Sequence, residues 1–256
     1  MTRPDAARRA LMLEEMGIAP QWRLRSAVTE AQSVRAESAV APAAIVAVAV
    51  ASPETGSAQR DAVMRMDWAQ LKSCVASCTQ CALHARRNKT VFGVGDENAD
   101  WLFVGEGPGA DEDALGEPFV GQAGKLLDNM LAAIQLQRGS AVYIANVVKC
   151  RPPDNRNPES VEAQACEAYL HRQIDLIKPR LIVALGKVAA VNLLAREASV
   201  ASLRNTVHQY RGIPLIVTYH PAYLLRSLTD KAKAWEDLCF AVDTLAQLKA
   251  SATEPV

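Results

Sequence analysis

The stretch DWLFVGEGPGADED, residues 100–113, joins an apolar run to a loop rich in glycine and acid. Its reading decides the fold. The run DWLFVG is apolar on both faces, as in a strand buried inside a sheet, and the loop behind it resembles a phosphate cradle. Two phosphate signatures are absent. A P-loop needs Gly-x-x-x-x-Gly-Lys before Ser or Thr, and the dinucleotide fingerprint needs Gly-x-Gly-x-x-Gly opening a helix. Here Gly105, Gly107 and Gly109 alternate, Pro108 interrupts them, and Glu106, Asp111, Glu112 and Asp113 repel polyphosphate. The loop suits a neutral ligand that approaches the backbone closely.

The same punctuation recurs outward. GKLLDNMLAAIQL (124–136) follows as a helix, AVYIANVV (141–148) as a strand, and PESVEAQACEAYLHRQIDLI (158–177) as a helix. PRLIVALG (179–186) leads into KVAAVNLLA (187–195), and IPLIVTYHP (213–221) precedes DKAKAWEDLCFAVDTLAQLKA (230–250). Apolar strands alternating with helices predict an α/β domain, a three-layer α/β/α sandwich on a central, mainly parallel four-stranded sheet. Ligands of such sheets bind at the carboxyl ends of the strands. The polar residues following those ends are Glu106, Asn146 and His220.

Of the 256 residues, 66–250 are assigned to this domain. Residues 1–65 read as a short helical piece, DAARRALMLEEMGI, and a low-complexity tether, EAQSVRAESAVAPAAIVAVAVASPETGSAQR, expected to be mostly disordered. Lys plus Arg and Asp plus Glu both number 28, so composition declares no overall grip on nucleic acid or anionic lipid, while a local basic groove stays open. No apolar stretch reaches the length of a membrane helix, and the expected protein is cytoplasmic and monomeric, with no membrane partner.

There are six cysteines. Cys78 and Cys81 form a C-x-x-C pair ahead of the first strand, Cys150 follows the second and Cys166 lies on the next helix. In a reducing compartment such a set points to metal more than to disulfides. Zinc, an iron-sulfur cluster, or plain burial of Cys150 and Cys166 are the readings, and the wide gap before Cys150 favours a cluster over a zinc ribbon. Cys74 and Cys239 lack matching partners and read as packing residues.

The motifs CTQC, GEGPGADEDALGEPFVGQAGKLLD, NVVKCRPPDNRNP, AC at 165–166 and HPAYLLR together resemble the family 4 uracil-DNA glycosylases, the iron-sulfur branch of the uracil-DNA glycosylase superfamily, over about residues 78–248. The resemblance implies a DNA repair enzyme that flips uracil out of DNA and hydrolyses its N-glycosidic bond. It implies a 4Fe-4S cluster on Cys78, Cys81, Cys150 and Cys166. It implies a uracil pocket of Glu106, Gly107, Phe119, Asn146 and His220, with Glu106, Asn146 and His220 catalytic. Extrusion from the stack is what gives an enzyme access to a base. Phe119 suits stacking, the Asn146 amide matches the uracil O4 and N3–H where cytosine presents the opposite pattern, and His220 suits donation to O2. Alone, Phe119 also reads as core, Asn146 as a turn residue, and His220 as a core histidine.

Where the best-known branch of the superfamily carries a water-activating Asp, this chain has Gly107. A mainly dissociative path follows, with water held by backbone groups or Glu106. Where that branch excludes the thymine methyl with Tyr, this chain has Gly109, and Glu112 is the candidate for closing the pocket. A branch that attaches to the abasic sugar uses a His-bearing loop, and RPPDNRNPES has no His. For DNA binding, Leu224, with Leu225 as its neighbour, is the expected wedge, and Arg226 the phosphate contact, extended by Arg86, Arg87 and Lys89. The competing reading is a non-catalytic iron-sulfur lesion sensor or polymerase accessory protein, which intact Asn146 and His220 disfavour.

Overall fold

The computed structural model describes residues 53–251, so the N-terminal helical piece and most of the expected tether lie outside the described residues. The end of that tether is helical: α1 spans Pro53–Val63, Val63 is buried in the core, and Arg60 pairs with Glu167. The apolar Val63 gives this helix a face to bury, which the polar composition before it conceals. Helix α2, Trp68–Ala76, starts on an Asp67 capping box with Gln70.

The sheet has six strands in the order β1-β3-β2-β4-β6-β5, two more than the sequence predicts. The four expected strands, β2 (Trp101–Gly105), β3 (Val142–Asn146), β4 (Leu181–Leu185) and β6 (Ile213–Thr218), form its parallel centre. Short antiparallel strands, β1 (Val94–Gly95) and β5 (His208–Tyr210), close the two edges. At two and three residues these edges are too short to leave a period in the sequence.

Every residue of β2, β3 and β4 is buried, as a sheet covered on both faces requires. Alternate side chains supply two cores. Leu102, Val104, Tyr143, Ala145, Ile182 and Ala184 face one layer, which includes α5 (Ser160–Ile177) and α6 (Gly186–Leu194). Trp101, Phe103, Val142, Ile144, Leu181 and Val183 face the other, packing on Leu127 and Leu131 of α4 (Gln122–Ala133) and on Leu238, Ala241 and Leu245 of α9 (Asp230–Ser251). Short α3 (Ala110–Leu115) follows β2, and α7 (Val200–Leu203) and α8 (Pro221–Leu224) flank β5 and β6. No described helix is long and apolar enough to cross a membrane.

Candidate uracil pocket and cysteine cavity

Parallel pairing sets Gly105 beside Asn146 at the carboxyl end of the sheet. Gly105 must be glycine: a Cβ there would stand 2.5 Å from Asn146 Oδ1 and 2.6 Å from the Phe119 ring. Beside these two side chains is a cleft of about 370 Å³, lined by Glu106, Gly107, Phe119, Asn146, His220 and Arg226, with Pro108–Gly109, Glu112 and residues of the 152–158 loop. The structure thus brings the three strand ends together as expected.

Asn146 is buried, and its Oδ1 has no hydrogen-bond partner. An orphaned buried acceptor costs about 1–3 kcal/mol, which a ligand N–H recovers. Phe119 stands beside His220, their ring centroids 5.5 Å apart at 31°. Phe119 takes φ 55°, a left-handed backbone disfavoured for a bulky residue. Its turn is held from outside. Arg138 donates to the Pro118 and Phe119 carbonyls, both at 2.8 Å, and to Asp128 Oδ1, and Gly124 lets α4 pass where a Cβ would meet Phe119 O at 1.8 Å.

His220 is the N-cap of α8, and its Nδ1 accepts the Ala222 N–H at 3.1 Å. That bond places the ring hydrogen on Nε2. Burial, helped by the Arg226 charge and opposed by Glu112, lowers the imidazole to about 4. The ring is therefore a neutral donor at physiological pH. Burial also raises the Glu106 carboxyl, against the pull of Arg226.

Glu112 lines the cleft but does not close it as a free side chain. Its carboxylate accepts from the Gly109, Val120 and Gly121 N–H groups at 3.0, 2.9 and 3.1 Å, joining the GEGPG loop to the Phe119 turn. Asp113, also buried, accepts from the backbone and side chain of Asn88.

The wedge assignment needs correction. Leu224 is 1% exposed, under the surface with Leu238 and Met130 around it, whereas Leu225 is 43% exposed. The helical turn of α8 points successive residues in different directions, and the inward one is Leu224. Arg226 is exposed at the cleft. Arg87, expected beside phosphate, is engaged at the cysteines instead. It donates to the Cys78 and Ala76 carbonyls and to Cys150 Sγ at 3.2 Å. Lys89 reaches the Leu115 carbonyl, and Arg86 is exposed.

Cys78, Cys81, Cys150 and Cys166 line one small cavity, with Arg87, Lys149 and Tyr169. Among the described residues no three His, Cys, Asp or Glu side chains close on a single ion. Burial raises the Cys81 and Cys150 thiols, and Cys166 to about 12. The Lys149 N–H donates to Cys166 Sγ at 3.3 Å. The Lys149 ammonium, which the sequence reading passed over, is wholly buried and donates to Asn146 O at 2.8 Å and Gln173 Oε1 at 2.6 Å. Burial lowers it to about 8, against the neighbouring Cys166 and Cys150. A lysine inside the apolar run before Cys150 was the available signal, since a buried charge needs a structural reason. Cys74 packs against the core with a 3.8 Å contact to the Tyr169 hydroxyl, and Cys239 is half-buried.

The sequence profile of the Uracil DNA glycosylase superfamily matches residues 92–239. Type-4 uracil-DNA glycosylase of Archaeoglobus fulgidus is 46% identical over 159 residues, 59% of this chain and 79% of the relative. That of Pyrobaculum aerophilum is 41% identical over 181 residues, covering 68% and 92%. That of Thermotoga maritima is 44% identical over 161 residues, covering 62% and 83%. The profile match spans the strands that build the cleft, and these relatives share most of their length with the chain, which therefore belongs to the uracil-DNA glycosylase superfamily.

Proposed function

We propose that this chain is a DNA repair enzyme that removes uracil from DNA, leaving an abasic site and free uracil. The observation that carries the reading is the orphaned Asn146 Oδ1 in the same cleft as a neutral, Nε2-protonated His220. The extruded base slides against Phe119. Asn146 accepts from N3–H and donates to O4, a pairing that cytosine reverses. Cleavage of the bond to C1′ sends electrons into the base, and the His220 Nε2–H meets the charge that gathers on O2. Imidazole held neutral keeps this donor over the working pH range without having to lose a proton first. No Asp stands at Gly107 to activate water, so the bond breaks largely ahead of attack, with Glu106 at the cleft holding the water. Arg226 contacts phosphate and Leu225, rather than Leu224, fills the gap left by the base.

The four cysteines are proposed to hold a 4Fe-4S cluster. A zinc ion with Zn–S bonds near 2.3 Å would draw four sulfurs to within about 4 Å of one another, whereas a cluster, giving each thiolate its own iron, spaces them around a larger core. Four thiols lining one cavity supply the all-sulfur donor set of such a cluster. N–H donors from Arg87 and Lys149 to Cys150 and Cys166 suit sulfur ligands, whose charge they offset. When bound, the cluster supplies covalent closure between the 78–81 segment, the β3 end and α5.

One assay tests the reading. Oligonucleotides with uracil opposite guanine, opposite adenine or in a single strand are incubated with the chain, then treated with alkali. Strand breaks at uracil and nowhere else are expected. Intact strands with retained DNA binding would instead favour the lesion-sensor reading.

A further inference from the structure

Tyr219 precedes His220 and Tyr223 follows it by one helical turn, and the two rings stack with centroids 5.2 Å apart at 19°. The stack is unusually well fixed for a surface feature. Beneath it, the Arg204 guanidinium lies 5.4 Å from the Tyr219 centroid. Arg204 is itself held by the buried Asp237 carboxylate at 2.8 and 2.9 Å, and Asp237 also accepts from the Thr218 hydroxyl at 2.7 Å. Above it, the Tyr223 hydroxyl donates to Asp230 Oδ2 at 2.6 Å, which sets the ring's rotation. Yet Tyr223 remains 37% exposed, two residues from the exposed Leu225 and three from Arg226 at the cleft.

An aromatic ring immobilised from below and at its hydroxyl, and left open outside, has lost its side-chain entropy before any ligand arrives. Packing alone does not need the hydroxyl fixed at the surface. We propose, building on the uracil-excision reading, that Tyr223 is a stacking platform for the unpaired base next to the extruded uracil, and so a positioning residue for single-stranded substrate. Every base offers a π face, so the platform is sequence-tolerant. In a duplex the neighbouring base already stacks on its own strand and gains little from the ring. In a single strand that base has no such partner.

The test compares Tyr223→Ala and Tyr223→Phe with the parent chain. Single-turnover cleavage is measured on one uracil sequence as single strand and as duplex, at subsaturating enzyme. Loss of one base–aromatic stack should lower the single-strand to duplex ratio roughly tenfold in Tyr223→Ala, while Tyr223→Phe, which keeps the face, stays within about threefold. In parallel, 2-aminopurine is placed beside a non-cleavable uracil analogue in a single strand. The parent chain and Tyr223→Phe should quench it, and Tyr223→Ala should not. A ratio unchanged in Tyr223→Ala, with equal quenching, overturns the platform. Equal loss on both substrates also overturns it, since it marks a general disturbance of the His220 turn. A parent chain that quenches but cuts neither substrate would break the excision reading and leave the platform standing.

Discussion

The uracil cleft and the cysteine cavity share one stretch of chain, Asn146 to Cys150, and are finished in opposite ways. The cleft is complete as it stands. Its acceptor is bare, its donor hydrogen is fixed on Nε2, and its stacking ring is braced from behind by Arg138 and Gly124. The cavity, on the reading proposed above, is finished by the cluster it would hold. Burial raises the Cys81, Cys150 and Cys166 thiols, Cys166 to about 12, and positive charge at the sulfurs opposes that shift. On that reading a site for a neutral base is preorganised by hydrogen bonds, and a site for a metal group leaves the last ordering step to the ligand. Lys149 ties the two together, its N–H on Cys166 and its ammonium on the Asn146 carbonyl.

Breaking the cavity should have the largest effect. Cys150→Ser should purify without iron or visible colour, with Tm lowered by about 10 °C, the order expected for losing several kcal/mol in a domain of this size. Because the Lys149 backbone leads from the cavity into the cleft, its N–H on Cys166 and its ammonium on the Asn146 carbonyl, loss of the cluster should lower uracil cleavage as well. Stoichiometric zinc without iron in the parent chain would refute the cluster. Full colour in Cys150→Ser would remove Cys150 from it.

The cleft should instead fail in chemistry while keeping its fold. His220→Ala is expected to slow single-turnover cleavage about a hundredfold or more, the scale of losing one oxyanion donor, with affinity for duplex set by phosphate contacts little changed. Asn146→Asp should weaken discrimination of uracil from cytosine. The pH dependence follows from His220 being held at about 4 against an ordinary 6.5. The folded ring binds fewer protons than the unfolded one between these values, so its contribution to stability is present above 6.5 and is lost as pH falls toward 4. The cleavage rate should accordingly show no inflection from this histidine near 6.5, and an inflection there in single-turnover rates would contradict the neutral-donor assignment.

Within the cleft, Glu112 holds the loop together. Glu112→Gln keeps the shape but removes the charge and one acceptor from three part-buried backbone N–H donors, and should cost roughly tenfold in cleavage, matching about 1 kcal/mol for one lost hydrogen bond. Cluster colour should persist, since Asp113 carries the link to Asn88. Loss of colour in this variant would show that the cleft loop and the cavity order together.

The parallel centre of the sheet was legible because strands buried on both faces leave apolar runs, and the strand ends then named Glu106, Asn146 and His220. The edge strands β1 and β5, at two and three residues, leave no such trace. The braces were hidden for a different reason. Arg138 acts on carbonyls 19 and 20 residues away, and Arg87 on a sulfur 63 residues away, so their spacing carries no local period. Glu112 was singled out as a pocket residue from the motif, but a carboxylate aimed at ligand and one aimed at backbone N–H groups read alike in sequence. Helix α1 was masked by the polar stretch in which it begins.

The smallest effect separates two adjacent leucines. HPAYLLR points first to Leu224 as the wedge with Leu225 beside it, and the α8 turn reverses that order. Leu224, 1% exposed, packs between α4 and α9, so Leu224→Ala leaves a cavity and should lower stability by about 2–5 kcal/mol. Leu225, at 43% exposure, has little packing to lose, and Leu225→Ala should leave Tm nearly unchanged. Its cost belongs to the extruded state, where the apolar side chain stands in for the missing base and slows its return. Duplex cleavage should therefore fall a few fold in Leu225→Ala, and single-strand cleavage less, because an unpaired uracil leaves no stacked gap to fill. Measured together, the two variants sharpen the contrast between a residue that builds the cleft and one that works beyond it. If Leu224→Ala kept full stability and lost duplex cleavage, α8 would have to turn over on DNA, and Leu224 would be the wedge after all.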